Sequence, residues 1–130
     1  MRANLLRAGL GLSLLAGALP VARAQAADVQ HGRQLFESRC IACHSLDQNR
    51  AGPALGSVVG RVAGKQADFA YSPALSRATH VWTPGKLMAW LTDPEALVPG
   101  QTMGYRLGEA NDRRDVVAFL QSLATGQSAR

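Results

Sequence analysis

Cys40-Ile41-Ala42-Cys43-His44 is the stretch that decides how this 130-residue chain folds. Its C-x-x-C-H spacing is typical of covalent haem attachment. On a helix, side chains at positions i, i+3 and i+4 share one face, so Cys40, Cys43 and His44 point the same way. Two thioether bonds and one imidazole then meet a single porphyrin. We therefore expect one haem c per chain, attached through Cys40 and Cys43, with His44 as the proximal iron ligand.

The two cysteines also have alternative interpretations. A cysteine pair in an exported protein ordinarily suggests a disulfide, and a C-x-x-C pair also occurs in thioredoxin-like redox proteins. A structural zinc site needs four ligands, and the sequence has no second cysteine pair. The histidine that directly follows Cys43 favours haem attachment, with a local disulfide or a redox pair as the alternatives.

Residues 1–24 have the features of an export signal. Two arginines give a positively charged start, residues 8–19 are apolar, and a small-residue cleavage pattern ends at Ala24. The apolar run is shorter than the roughly 20 residues that span a bilayer. We predict a signal peptide at 1–24 and a periplasmic mature protein without stable membrane insertion. Cleavage after residue 26 and an uncleaved anchor are the alternatives.

The net charge of +5 comes from fourteen basic and nine acidic residues. Arg2, Arg7 and Arg23 lie in the predicted signal, so the mature chain carries only +2. Nucleic-acid binding needs clustered basic residues and a strong positive charge. The mature chain has neither, so we exclude this function. Residues 25–130 form one predicted domain, with an end that frays from about residue 126. A small domain with few aromatic residues often needs a cofactor for stability.

Helical patterns occur in three segments of the mature chain. Asp28 is a good N-cap for a first helix that runs towards the cysteines. Thr83 before Pro84 is typical of a second helix start, and Pro94 ends or interrupts that helix. The apolar face is formed in the first helix by Val29, Leu35 and Phe36, and in the second by Leu87, Trp90 and Leu91.

The last helix has the clearest pattern. It follows Asn111 or Asp112 as its cap, and its apolar residues are spaced at i, i+3, i+4 and i+7, with Asp115 on another face. Residues 45–72 contain many glycines and little periodicity, which predicts loops, and no segment predicts a strand. The sequence therefore predicts an all-α domain. The apolar residues of the last helix are Val116, Phe119, Leu120 and Leu123.

Residues outside the haem motif also match a known protein family. They are Gly32, Phe36, Gly52-Pro53, Gly60-Arg61, Tyr71, Trp82, residues 98–103 (Val-Pro-Gly-Gln-Thr-Met) and residues 116–120 (Val-Val-Ala-Phe-Leu). With them, the chain from Asp28 to Leu123 resembles class I cytochromes c, the soluble monohaem type of mitochondria and bacteria. The resemblance implies a small cytochrome c fold, in which three to five helices and their loops wrap around one covalently bound haem.

The resemblance also implies roles for single residues. The Pro53 carbonyl would accept a hydrogen bond from the second ring nitrogen of His44, which fixes the tautomer and raises the basicity of the ligand. Arg61, Tyr71 and Trp82 would lie near the haem propionates, where a guanidinium and two polar aromatic tips can pair with carboxylates. It further implies a helix crossing at Gly32, Phe36 and Phe119.

The sixth iron ligand is chosen among two methionines and two histidines. We predict Met103, which follows a Pro-Gly break on a loop, as the thioether ligand of the family does. Met88 lies within an amphipathic helix, His31 is too near His44 in sequence to reach the opposite face easily, and His80 is the weaker competitor. A Met/His pair raises the reduction potential relative to bis-His ligation. An electron carrier is the natural use of such a pair.

The chain departs from the family pattern around the predicted sulfur ligand. Trp90 stands where a tyrosine commonly approaches the methionine sulfur, and Leu75 takes a position often held by asparagine. Gln101 and Thr102 replace the usual Thr-Lys. In the family a ring of lysines docks acidic partners. Here only Arg39 and Arg50 clearly keep that charge, and Glu95, Thr102 and residues 109–112 interrupt the ring.

The function we expect is that of a soluble one-electron carrier, not an enzyme, which works as a monomer between redox proteins that donate and accept the electron. The alternative is a haem c subunit permanently associated with a periplasmic dehydrogenase or a sulfur-oxidising enzyme. A small-ligand sensor or a peroxidase-like protein would need an open iron position. Ligation by Met103 argues against that third class.

Overall fold

A computed structural model of the chain describes residues 25–126, which form five α-helices and the loops between them. Within these residues the only β pairing is an isolated antiparallel bridge between Val62 and Val81, so the all-α prediction and the number of helices are confirmed. The predicted signal peptide and the end of the predicted tail lie outside the described residues. The helices are α1 (Val29–Leu35), α2 (Pro73–Ser76), α3 (Pro84–Thr92), α4 (Pro94–Leu97) and α5 (Ala110–Ala124).

The two terminal helices, α1 and α5, cross at a glycine. Gly32 is buried against the main chain of α5, where a Cβ atom would overlap the carbonyl of Asp115 and lie 3.0 Å from Cβ of Phe119. One turn later, the rings of Phe36 and Phe119 meet with centroids 5.7 Å apart. The predicted crossing of these helices is therefore confirmed, and it depends on the missing side chain at position 32.

The buried carboxylate of Asp115 strengthens the same crossing. The sequence predicts Asp115 away from the apolar face of α5, yet the structure buries it, and the residue is only 6% exposed. One carboxylate oxygen accepts a hydrogen bond from the Asp28 N–H at 2.9 Å, and the other lies 2.8 Å from Nδ1 of His31. Burial alone would raise the pKa of Asp115, but these hydrogen bonds outweigh it and lower that pKa. The same contact raises the pKa of His31.

Two of the three predicted N-caps are confirmed. Asp28 and Thr83 each accept a hydrogen bond from the backbone N–H three residues on, as expected of N-caps. For α5 the predicted cap was wrong. The helix begins earlier, after Glu109, whose side chain makes no capping bond. Asp112 lies instead in the first turn, where its negative charge interacts favourably with the helix dipole.

The loops between the haem motif and α2 pack against the segment before α3. Three backbone hydrogen bonds of 2.9 Å join residues 60–63 to residues 80–82. This arrangement brings Trp82 into the core, where it is 6% exposed. The prediction of loops over residues 45–72 is confirmed. Between residues 25 and 126, the structure contains no helix with the length and apolar character that a membrane span requires.

Candidate haem site

The cysteines lie on a tight turn at the end of the first helical segment. A π-helical turn, Phe36–Cys40, follows α1 directly. The Cys40 carbonyl then accepts hydrogen bonds from the N–H groups of Cys43, at 3.1 Å, and His44, at 2.9 Å. Both thiols are free, with Cys40 half-buried and Cys43 exposed. Burial, with a smaller contribution from Cys43, raises the pKa of the Cys40 thiol to about 11.

The His44 ring is oriented by the backbone of the next loop. Its Nδ1 atom donates a hydrogen bond to the carbonyl oxygen of Pro53 at 2.8 Å, which leaves the lone pair of Nε2 available for a metal. Burial lowers the pKa of His44 against the opposing effect of that carbonyl. The ring fits only because Gly52 has no side chain, since a Cβ there would lie 2.6 Å from Nδ1 and 2.8 Å from Nε2.

A second group of predicted residues surrounds the half-buried guanidinium of Arg61. Arg61 donates to the Ala54 carbonyl at 3.0 Å and also to the side-chain oxygen of Gln66. The backbone N–H of Gln66 in turn donates to the hydroxyl of Tyr71 at 3.2 Å. The Nε atom of Arg61 is buried and has no partner among the described residues. A buried N–H of this kind requires an acceptor, and a carboxylate such as a haem propionate fits it.

A third group joins three aromatic rings to the predicted sulfur ligand. Trp82 meets Trp90 edge-on with ring centroids 5.3 Å apart, and it meets His80 at 4.5 Å. The indole N–H of Trp90 donates a hydrogen bond to the sulfur of Met103 at 3.2 Å. The tryptophan therefore contacts the sulfur in place of the family's tyrosine. The other methionine in the described residues, Met88, packs half-buried against the core.

The donor set as a whole suits a haem c. It consists of two free thiols, one imidazole with a free nitrogen, one thioether and one buried N–H without an acceptor. Nowhere in residues 25–126 do three or more His, Cys, Asp or Glu side chains converge to hold a metal ion.

Comparison with known proteins agrees with this donor set. The family model described as "Cytochrome c" matches residues 29–124. The chain belongs to the cytochrome c family. Cytochrome c2 of Rhodopseudomonas palustris is 37% identical, over 88% of this chain and 94% of the relative. Cytochrome c of Tetrahymena pyriformis is 39% identical, over 74% and 89%. Among solved structures, cytochrome cH from Methylobacterium extorquens matches with a TM-score of 0.70 and 34% identity, over 74% of this chain and 99% of that one.

Membership has direct consequences for this cytochrome c. The family comprises electron-transport proteins that contain iron in a covalently bound haem c. Cys40 and Cys43 have the spacing that this attachment uses. The disulfide and thioredoxin-like alternatives lose their support, because the family is established.

One residue that holds the site together was missed in the sequence. The side chain of Asn49 donates to the Ala67 carbonyl at 2.9 Å and accepts from the Ala54 N–H at 3.0 Å. It thereby ties the loop after His44 to the loop that carries Tyr71. An isolated asparagine in a glycine-rich segment reads as a turn residue, and nothing in the local pattern identifies a partner 18 residues away.

The two arginines that keep the family's basic charge lie close in sequence to the haem motif, and one of them contacts the backbone of an exposed apolar residue. Arg39 and Arg50 are both exposed, and neither forms an ion pair with another described residue. Arg50 donates to the carbonyl of Ile41 at 2.9 Å, and the Ile41 side chain is 47% exposed. A basic and apolar surface therefore adjoins the haem motif in this cytochrome c.

Proposed function

We propose that this cytochrome c carries single electrons on one six-coordinate haem, attached through Cys40 and Cys43 and ligated by His44 and Met103. The observation that carries the proposal is the hydrogen bond from Trp90 to the Met103 sulfur. A sulfur that uses one lone pair in this way keeps a second lone pair for iron. The bond also distinguishes this methionine from Met88, which packs against the same core but whose sulfur accepts no hydrogen bond from the described residues.

Each residue of the site has a defined task in this proposal. A bound haem c supplies an iron that alternates between the ferric and ferrous states. Pro53 fixes the His44 ring and increases its basicity through the Nδ1 hydrogen bond. Met103 would supply a thioether ligand, which favours ferrous iron and would leave no open position for a substrate. This arrangement suits electron transfer and supports a carrier without catalysis of its own.

The groups around Arg61 have the role of enclosing the propionates. The unpartnered Nε of Arg61 offers a charged donor, and the Tyr71 hydroxyl lies in the same hydrogen-bonded cluster through Gln66. Trp82 is the predicted third member, and its ring is buried. Neutralising carboxylates inside the protein would lower the cost of burying them beside the iron.

The working environment follows from the same proposal. We propose that residues 1–24 direct export and that the mature protein shuttles as a monomer between redox proteins in the periplasm. The basic surface at Arg39 and Arg50 suits brief contact with acidic partners. Gel filtration of native periplasm distinguishes a free carrier from a permanent enzyme subunit, because stable co-elution with a larger enzyme would contradict the shuttle.

Replacement of Met103 by alanine tests the proposed ligation. We expect the haem to stay attached, the reduction potential to fall and exogenous ligands to gain access to the iron, because the thioether is lost and the cysteines are not. Redox titration and absorption spectra, including the near-infrared sulfur-to-iron band, measure these changes. Met88→Ala is the matched control and should keep the band. Unchanged spectra in the Met103→Ala variant would refute ligation by Met103.

A further inference from the structure

The segment Thr102–Tyr105, which carries Met103, depends on other parts of the chain for its position. None of its backbone N–H or carbonyl groups forms a hydrogen bond with the rest of residues 25–126. The segment contacts its surroundings through side chains: Met103 and Tyr105 both pack against the core, and the Met103 sulfur accepts a hydrogen bond from Trp90. A sulfur hydrogen bond alone is weak support for an iron ligand, so the segments on either side must restrict it.

On the N-terminal side, a carboxylate of helix α4 holds the chain. One oxygen of Glu95 accepts the backbone N–H of Gly100 at 2.9 Å, and the other accepts the side-chain amide of Gln101 at 3.3 Å. Gly100 has a φ of +86°, in the left-handed region that favours glycine. The carboxylate of Glu95 therefore stabilises a turn that ends two residues before Met103.

On the C-terminal side, the N-cap of the same helix holds the chain. Asp93 accepts a hydrogen bond from the Arg106 guanidinium at 2.8 Å, while the same oxygen caps α4 by accepting from the N–H groups of Glu95 and Ala96. One residue beyond Arg106, the Leu107 N–H donates to the carbonyl of α3 residue Leu91 at 2.9 Å. Both ends of the segment are thus tied to adjacent points on α3 and α4.

We propose that Glu95 and Asp93 are positioning residues that clamp the Met103 segment at its two ends and slow dissociation of the thioether from iron. The inference rests on the proposed ligation by Met103. Since Asp93 is the N-cap of α4 and Glu95 lies in its first turn, the two ends of the segment stay close together while α4 and these contacts are intact. Release of either end lengthens the free segment and allows the sulfur to leave.

The two contacts differ in expected strength. Glu95 accepts two hydrogen bonds, both on the surface, and one of them comes from a backbone N–H that loses no side-chain freedom when it binds the charged acceptor. The Asp93–Arg106 ion pair joins side chains that are 36% and 61% exposed, where water and salt weaken the attraction. We therefore expect Glu95 to contribute more to the clamp than Arg106 does.

Entry of imidazole into the ferric holoprotein measures how often the thioether dissociates. We expect Glu95→Ala to accelerate imidazole binding by about tenfold, the factor that corresponds to loss of a charged hydrogen bond. Arg106→Ala should accelerate it by about threefold or less, as exposed ion pairs do. Glu95→Gln should largely restore the slow rate, because the amide oxygen still accepts from Gly100. Glu37→Ala is the matched control, since it removes an exposed ion pair with Arg33 outside this segment.

Two further measurements keep the outcomes separate. The near-infrared sulfur-to-iron band is recorded first, and its absence from the unmodified protein would refute the ligation rather than the clamp. Where the band is present, an imidazole rate for Glu95→Ala within about twofold of the control variant, the scatter expected of neutral surface changes, would overturn the clamp. Hydrogen exchange of the Gly100 N–H gives a direct check. Its rate should rise in Glu95→Ala, and an unchanged rate would also overturn the clamp.

Discussion

Replacement of Gly32 by alanine tests the close approach of α1 and α5. The new Cβ would overlap the carbonyl of Asp115 and lie 3.0 Å from Cβ of Phe119, and both groups belong to the buried face of α5. Overpacking of this kind costs about 1–3 kcal/mol, and contact with rigid backbone favours the upper end. Alanine recovers about 1 kcal/mol of helix propensity. The net loss in the free energy of unfolding is therefore about 2 kcal/mol.

A second glycine provides a control for the same chemical change. Gly85 lies in the first turn of α3, where the nearest atom to an added Cβ is the Thr83 hydroxyl oxygen at 4.0 Å. Gly85→Ala should therefore stabilise the protein by about 0.5 kcal/mol. Thermal and urea denaturation of the holoprotein measure both variants, and Gly32→Ala should lower Tm by roughly 8–15 °C. A Gly32→Ala variant as stable as the unmodified protein would refute the steric argument.

Two other predictions concern the sulfur contact and the buried carboxylate. Trp90→Phe should lower the reduction potential by roughly 20–45 mV, because a hydrogen bond worth about 0.5–1 kcal/mol no longer draws electron density from the Met103 sulfur. Redox titration measures this shift, and Trp90→Tyr, which keeps a donor, should lose less. His31→Gln should destabilise the fold more at about pH 5 than at about pH 9, as urea denaturation can measure. The His31–Asp115 contact is complete between the ordinary carboxyl and imidazole pKa values of 3.8 and 6.5.

The sign of the pH prediction comes from the two pKa shifts. The pKa of His31 is raised, so its contribution is present below 6.5 and disappears as the pH rises through the raised pKa. The pKa of Asp115 is lowered, so its contribution is present above 3.8 and disappears as the pH falls through the lowered pKa. A destabilisation by His31→Gln that grows from pH 5 to pH 9 would contradict this linkage. An unchanged potential in Trp90→Phe would contradict the role given to the indole.

Features encoded by neighbouring residues could be predicted from the sequence. Asp28 and Thr83 were identified as caps because the capping oxygen and its N–H partner lie only three residues apart. The C-x-x-C-H motif lies within five consecutive residues, so haem attachment could be predicted from the local sequence. The helix crossing at Gly32 was also predicted, although only through the resemblance to a family, since a glycine alone does not identify its partner. Local spacing and family resemblance together gave the helices and the haem motif.

Features that depend on a distant partner could not be predicted. In the sequence Asp115 belongs to the polar residues of α5, and only the folded chain brings the Asp28 N–H and His31, more than 80 residues away, to its carboxylate. Glu95 was interpreted as an interruption of a basic ring. Its hydrogen bond to Gly100 requires the turn that follows α4, which the residue types alone do not specify.

The two sides of the proposed iron site should therefore differ in robustness. His44 follows directly on Cys43, and covalent attachment of the cysteines would hold that side even if the loops loosened. Met103 is 59 residues further along the chain than His44, and its segment is held by noncovalent contacts alone, chiefly the polar contacts of α4, the Trp90 indole and the packing of Tyr105. Destabilising changes in these contacts should release the sulfur while the haem stays attached. Loss of the sulfur-to-iron band should thus precede global unfolding in urea, and simultaneous loss would contradict this order.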